Sequence, residues 1–394
     1  MEKLIVKNFG PIKEAEVDLT KYVIFIGDTS TGKSVLAKLI AIFKDSFFKL
    51  TLFKDVEKIN FQSELKKYNI DFKTNKTEIS LFQKSISNDR MIKVLELKDG
   101  YIVNLNSELK KGFLKIISDF NESKINSLDV DRLRSINKEE LIEIFNRNFY
   151  NIFLNKTNSI YFPAERVLYS LTGNAISGLL ANNIALPECY KEFAAKYEVA
   201  RANVKTAKYN SFGLEYNFKN DLDEVKINNQ KILLNEASSG VQSLVPLLLV
   251  LENELKEQDQ LMSGKVIVIE EPELNLFPIK QKKIVNFLVS SFYDKSVQCI
   301  LTTHSPYIVS SFDTLILAKN IYNEKPELKD EIIKIIPESN WVDFEEISVY
   351  EIKEDGLVYM IKDKEFKSID VNIIDNVSDV ISEEFDKLTQ LRYE

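Results

Sequence analysis

Residues 23–34, Val-Ile-Phe-Ile-Gly-Asp-Thr-Ser-Thr-Gly-Lys-Ser, constrain this chain more than any other stretch. Val23 to Ile26 form a short apolar run that predicts a buried strand. Gly27 and Gly32 bracket a loop, and Lys33-Ser34 open a helix that runs on through Val35, Leu36, Leu39 and Ile40. Strand, glycine-bracketed loop and Lys-Ser helix start together specify a cradle for phosphate. Glycines let backbone N–H groups turn inward, and the helix terminus adds partial positive charge. Lys33 reaches β/γ-phosphates, and the Ser34 hydroxyl can ligate Mg²⁺. Asp28, Thr29, Ser30, Thr31 and Val35 complete the stretch that wraps the nucleotide. A chance glycine turn before a lysine is the bland alternative, and both flanks argue against it.

A chain of 394 residues accommodates two domains or one large α/β unit with insertions. At 44% hydrophobic residues it has ample material for a core. The net charge of −8 means that any nucleic-acid contact must come from a local basic patch. Cys189 and Cys299 sit in unrelated contexts, which suggests neither a disulfide framework nor a metal cluster. No secretory leader is recognisable and no apolar run approaches membrane-spanning length, so the expected compartment is the cytoplasm.

Two strands are expected at the start, one around Leu4, Val6 and Phe9 and one around Ala15, Val17 and Leu19, with a break at Asn8-Phe9-Gly10-Pro11. With Val23–Ile26 they make three strands before the phosphate loop, read as one N-terminal sheet folding over the nucleotide. Residues 46–158 differ in composition and read as an inserted α+β lobe. Within it, Met91–Leu97 and Tyr101–Leu105 flank Asp99-Gly100, a hairpin pattern. Asn137 and Glu140 cap a predicted helix over 138–150. Beyond the lobe, Ser159–Arg166 reads as a strand ending in a polar loop, 175–208 as helical, and Phe212–Phe218 and Val225–Leu234 as strands. Helices are expected over 241–257, 279–293 and 306–312, and buried strands over Val266–Ile269 and Gln298–Thr302. Strands alternating with helices imply a mainly parallel sheet. Ile347–Ile352 and Leu357–Ile361 form a strand pair about Glu354-Asp355-Gly356, and an acidic helix closes the chain near 376–391.

Three further stretches carry chemistry. Val266-Ile-Val-Ile-Glu270-Glu271-Pro272-Glu273 delivers two adjacent carboxylates at the mouth of a buried strand. Acids are tolerated there because metal or substrate meets them. Glu270 fits the Mg²⁺ side, and Glu271 the base that orients attacking water. Ser238, Ser239 and Gly240 open an apolar helix from Leu244 to Leu251. They suit either an anion site or a plain serine cap. The single histidine, His304, follows another buried strand in Thr303-His-Ser-Pro306, where a γ-phosphate contact competes with a structural role.

Phosphate loop, Ser-Ser-Gly helix, Glu-Glu strand and histidine strand, in that order, resemble the ABC-type ATPase head. In detail they look like its SMC-like and OLD-like branch, the AAA_15/AAA_21-type ATPases common in bacterial anti-phage systems. Leu4-Ile-Val-Lys-Asn-Phe-Gly-Pro-Ile-Lys13 is similar to the opening of those proteins. Glu270-Glu-Pro-Glu-Leu-Asn-Leu-Phe-Pro278 is similar to their Walker B and D-loop, with Phe277 where many carry histidine, and Thr303–Pro306 is similar to their H-loop. The resemblance covers 1–45 and about 159–318, leaving 46–158 as an inserted α+β lobe and 319–394 as a C-terminal extension that packs on the core or docks a partner. It implies a P-loop NTPase fold with an N-terminal antiparallel β layer and a mainly parallel core sheet flanked by helices.

By the same resemblance, Gly27, Gly32, Lys33 and Ser34 would form Walker A, Glu270 the Walker B acid, Glu271 the catalytic glutamate and His304 the switch histidine. Ser238 and Gly240 would be the signature that reaches ATP held by the other subunit. Departures are Asp28 for a frequent asparagine, Ala-Ser-Ser-Gly-Val-Gln for the usual signature, and no clear Q-loop glutamine, with Glu165 and Arg166 in its approximate place. The expected cofactors are ATP and Mg²⁺. The expected assembly is a nucleotide-sandwich homodimer, open to higher oligomers, that controls a separately encoded effector such as a nuclease or toxin. The alternative is an SMC-like DNA-repair or DNA-clamping ATPase using Lys and Arg near 108–115 and 131–147, although the acids around these make solvated helix faces the simpler reading.

Overall fold

The computed structural model describes residues 2–45, 48, 60–72, 76–84, 89–97, 100–109, 111, 157–172, 186–256, 264–370 and 376–393. The chain opens with antiparallel β1 (Glu2–Phe9) and β2 (Ile12–Asp18), turned at Gly10-Pro11, where Gly10 has φ 56°. Strand β3 (Tyr22–Gly27) leads through the loop into α1 (Lys33–Lys44). Then come α2 (Phe61–Lys67), capped by Asn60, and the strands β4 (Glu78–Gln83), β5 (Arg90–Leu97) and β6 (Gly100–Leu105). After β7 (Thr157–Phe162), α3 (Val167–Thr172) and α4 (Glu188–Val204), four short strands follow. These are β8 (Thr206–Tyr209), β9 (Leu214–Lys219), β10 (Leu222–Ile227) and β11 (Gln230–Leu233). The chain continues with α5 (Ser239–Lys256), β12 (Gly264–Glu270), α6 (Pro278–Ser291), β13 (Val297–Thr303) and α7 (Pro306–Glu324). Strands β14 (Ile347–Ile352) and β15 (Val358–Met360) and a last helix, Asn376–Tyr393, complete it.

The central sheet has the order β15-β14-β3-β13-β12-β7, parallel throughout except for β15. Its inner strands are apolar on both faces because both faces are covered. Ile24, Ile26, Ile267, Ile269 and Leu301 pack with α4 to α7. Val23, Phe25, Val266, Val268 and Ile300 pack with α1 and the antiparallel layer. Fully burying such a side chain stabilises by roughly 1.5–3 kcal/mol. Because β3, β12 and β13 are parallel neighbours in register, the loop at 27–34, Glu270-Glu271 and His304 emerge at one edge, the C-terminal ends of the strands.

Several expectations are corrected. The three opening strands do not form one sheet: β1 and β2 alternate buried and exposed residues and join β2-β1-β4-β5-β6, while the apolar β3 enters the core sheet. Part of the 46–158 stretch therefore extends the N-terminal layer, with Val6 facing Ile79 and the Met91–Leu97 and Tyr101–Leu105 segments pairing as the expected hairpin. The two strands expected over 212–234 are three, β9 to β11, with β8 paired to β9 ahead of them. Asn220-Asp221 and Asn228-Asn229 all have φ between 50° and 65°, the two-residue hairpin turns that reverse the chain. The helix expected over 175–208 is α4 where described, since Lys205 turns to φ 50° and β8 follows. Helix α7 runs twelve residues past the expected 312 to Glu324. The predicted helix at 138–150 lies outside the described residues. Strand β14 stands beside β3, so the tail contributes a strand of the central sheet.

Candidate functional site

Gly27 has φ 155° and Gly32 φ 112°, and the loop between them folds back on itself. The Thr31 hydroxyl donates to Asp28 O at 2.8 Å, and Thr29 N–H to the Asp28 carboxylate at 2.6 Å. A Cβ on Gly27 would stand 2.3 Å from Ile352 O of β14, and one on Gly32 would stand 2.4 Å from Ile12 Cδ1. Lys33 is buried at 4% exposure. Its ammonium donates to Gly27 O at 2.9 Å and Asp28 O at 2.6 Å and lies 3.3 Å from His304 Nδ1. Burial pulls its pKa down, opposed by Glu271, Asp28, Glu273 and Glu270.

Glu270 ends β12 and is buried at 4% exposure. Lys38, one helical turn beyond Ser34 on α1, pairs with its Oε1 at 3.9 Å, and that oxygen has no hydrogen-bond partner among the described residues. Burial pushes its carboxyl above the usual carboxylate range, and Lys38 and the Tyr161 hydroxyl pull the other way. Glu271 Oε1 accepts from His304 Nε2 at 3.0 Å. A tautomer protonated on Nε2 satisfies both contacts of the ring, donating to Glu271 and accepting from Lys33. Phosphate-loop lysine, histidine and second glutamate thus form one chain.

The backbone under Glu271 is unusual. It has φ 43° directly before Pro272, where a non-glycine residue is disfavoured, a strain on the order of 1–3 kcal/mol. Its N–H donates to Thr302 O at 2.9 Å, and its carbonyl accepts from Arg166 Nη2 at 2.7 Å.

Ser238 and Ser239 are exposed at the start of α5, and Gly240 lies against Asn275, where a Cβ would stand 2.6 Å from the Asn275 carbonyl. Among the described residues no hydrogen bond joins these three to the loop at 27–34. The structure therefore brings Lys33, Glu270, Glu271 and His304 together and seats the Ser-Ser-Gly turn against the Asn275 loop. Glu165 accepts from the Tyr190 hydroxyl at 2.6 Å, and Arg166 is turned wholly inward.

Two supporting residues emerge only from the structure. Glu273 is buried, and its Oε1 accepts from the Thr303 hydroxyl at 2.5 Å and from His304 N–H at 3.0 Å, anchoring the histidine turn. Its place as third acid of Glu-Glu-Pro-Glu is the signal that sequence offers. Lys38 has a signal in helical spacing alone, four residues after Ser34.

An Mg²⁺ ion fits this donor set. Among the described residues no group of three or more His, Cys, Asp or Glu could cage a metal. The unpartnered Glu270 oxygen and the Ser34 hydroxyl instead suit an ion that takes its other ligands from phosphate and water. Among the described residues no helix is long and apolar enough to cross a membrane.

Residues 172–309 match the family model AAA_15, an AAA ATPase domain. The matched span contains Ser238–Gly240, Glu270-Glu271 and His304; the phosphate loop lies before it. No curated protein matches the chain. Among solved structures it is similar to the SMC head domain from Thermotoga maritima, at 13% identity and TM-score 0.35, covering 78% of this chain and 90% of that one. It is also similar to the recombination mediator protein RecF-ATPrS of the RecFOR pathway, at 13% identity and TM-score 0.32, covering 91% and 97%. A third is dimeric MJ0796, a bacterial ABC transporter cassette, at 12% identity and TM-score 0.34, covering 92% and 100%. The AAA ATPase domain and a parallel α/β sheet bearing this loop at its strand ends define the class: the chain is a P-loop ATPase that binds and hydrolyses ATP.

Proposed function

We propose that this ATPase is a nucleotide-driven switch of the ABC type, in which two copies close head to tail over two ATP molecules. The observation that carries the reading is the contact chain Lys33–His304–Glu271 at the mouth of β3, β13 and β12. Residues Gly27 to Val35 hold the phosphates, with the buried Lys33 ammonium toward the β/γ groups. Ser34 and Glu270 hold Mg²⁺, which when bound neutralises phosphate charge. Glu271 orients and deprotonates the attacking water, and His304 holds that carboxylate and senses the γ-phosphate. Exposed Ser238 and Ser239, with half-buried Gly240 beside them and no hydrogen bond to their own loop among the described residues, complete the site of the partner copy. ATP binding then favours closure, and hydrolysis releases it.

The ATPase core is assigned to 1–45 and 159–318, the lobe to 46–158 and the extension to 319–394, with β14 the part of that extension that completes the core sheet. The motif resemblance supports a cytoplasmic role in anti-phage defence, in which the paired heads hold or trigger a separately encoded nuclease or toxin. The test is mass by light scattering, on the wild type and Glu271→Gln, with and without ATP–Mg²⁺. A mass that doubles only with nucleotide, and stays doubled in the variant, is expected. A mass indifferent to ATP refutes the switch, and a salt-steep, ATP-dependent affinity for duplex DNA would favour a clamp over effector control.

A further inference from the structure

Arg166 is 1% exposed, and among the described residues no carboxylate forms an ion pair with it. A guanidinium taken out of water must have its N–H groups satisfied, and here main-chain carbonyls do so. Nη1 donates to Pro163 O at 2.6 Å and Glu270 O at 2.7 Å, Nη2 to Glu271 O at 2.7 Å, and Nε to Ser243 O at 3.3 Å. Two of these carbonyls belong to the paired glutamates, and a third to the opening turns of α5, the helix that begins with Ser239-Gly240. One planar fork therefore bridges both elements.

A second contact, from the short helix α3 that Arg166 immediately precedes, reaches the same turn. Pro246 lies inside α5 and has no N–H to give the Gln242 carbonyl four residues back. The Ser170 hydroxyl, one turn after Arg166, donates to that carbonyl at 2.6 Å. The start of α5 is thus held by Arg166 and Ser170, and the left-handed backbone of Glu271 by Arg166.

We propose that Arg166 is a positioning residue for hydrolysis: it fixes the main chain that aims the Glu271 carboxylate and couples that geometry to the Ser-Ser-Gly helix. Among the described residues no hydrogen bond or ion pair joins it to the phosphate loop, so its removal affects turnover and leaves nucleotide binding alone. The fork stays charged at neutral pH, because burial brings its pKa down only to about 10, opposed by the nearby glutamates. The proposal rests on the reading of Glu271 as the base.

The test compares wild type, Glu271→Gln and Arg166→Lys in ATP–Mg²⁺ turnover, affinity for a fluorescent ATP analogue and thermal midpoint. Lysine keeps the charge but cannot bridge four carbonyls in a plane. A fall of at least tenfold in kcat, with affinity within twofold of wild type, is expected. A smaller fall in kcat, while Glu271→Gln is inactive, overturns the coupling and leaves the ATPase mechanism standing. Joint loss of kcat, affinity and thermal midpoint shows a merely structural arginine and also overturns it. Should Glu271→Gln turn over like wild type, the underlying assignment of the base fails and this inference with it. Where Arg166→Lys yields no folded protein, Ser170→Ala is read instead: at least a threefold fall in kcat at unchanged affinity is expected, and an unchanged kcat overturns the proposal.

Discussion

Replacing Glu271 by glutamine separates chemistry from folding unusually well at this site. The substitution keeps a side-chain oxygen that can accept from His304 Nε2, now at 3.0 Å, and it leaves the main-chain anchors in place: N–H to Thr302 O at 2.9 Å, and the carbonyl accepting from Arg166 at 2.7 Å and Leu274 N–H at 3.1 Å. The side chain is partly exposed, so removing its charge costs little desolvation, and stability should stay within about 0.5 kcal/mol of wild type. What disappears is the proton acceptor. General-base catalysis contributes typically 10²–10⁴-fold, or about 3–5 kcal/mol of barrier. The expected result is therefore kcat lower by two to four orders of magnitude, with ATP affinity and unfolding midpoint unchanged. Phosphate release under single-turnover conditions, beside equilibrium nucleotide binding, reads this directly. A variant hydrolysing within threefold of wild type refutes Glu271 as base. Loss of nucleotide binding in parallel would place the residue in binding instead.

Glu270→Gln should change the pH dependence of stability. Burial holds the Glu270 carboxyl above its ordinary value, so the folded state binds that proton more tightly than the unfolded chain. The wild type then loses stability as pH rises from the ordinary carboxylate range through the raised value, by about 1.4 kcal/mol for each pH step of one between the two. In nucleotide-free urea titrations, the variant should therefore gain on wild type as pH rises from the carboxylate range toward neutrality, while losing Mg²⁺-dependent turnover. A wild type level with the variant over that range would show Lys38 to offset burial fully, and one that gains on it would show Lys38 to outweigh burial. Gly27→Ala should lower stability by about 1–3 kcal/mol through the φ of 155°, and more if the Ile352 carbonyl cannot retreat from the 2.3 Å approach. Denaturant midpoint and ATP affinity should fall together, and an unchanged midpoint would mean that β14 yields easily.

The legibility of this chain follows from how local each determinant is. The loop at 27–34, the run Val266–Ile269 and the Thr303–Pro306 turn are each set by a few consecutive residues, and the sequence places them correctly at strand ends. Helix starts at Pro278 and Pro306 are equally local, the second with Ser305 accepting from Tyr307 N–H at 3.2 Å. What could not be read was pairing at a distance. Nothing within Ile347–Ile352 says that it will lie beside β3, over 300 residues earlier, because a buried apolar strand suits any interior position. The same holds for β4, which joins β1 and not the core. In the site, Glu270, Glu271 and His304 were legible as polar residues at the ends of apolar runs. Arg166 was singled out only as standing in the approximate Q-loop place; its inward fork was not legible, since its contacts are with main-chain carbonyls, which every residue possesses and no sequence pattern marks.

That invisibility bears on how the site is held. Side-chain partners can be exchanged pairwise, whereas Arg166 is bonded to the backbone at Pro163, Ser243, Glu270 and Glu271 and so is indifferent to which residues occupy them. The glutamates can therefore point their carboxylates outward, one toward Lys38 and Ser34 and one toward His304, while their peptide groups are fixed from behind. Glu273 does the corresponding work on the neighbouring strand end, gripping Thr303 and the His304 N–H with one buried oxygen. Two buried side chains, Arg166 behind Glu271 and Glu273 under the His304 turn, thus hold the two strand ends from which Glu271 and His304 meet. A left-handed glutamate before a proline persists because its N–H is held by Thr302 O and its carbonyl by Arg166 and the Leu274 N–H.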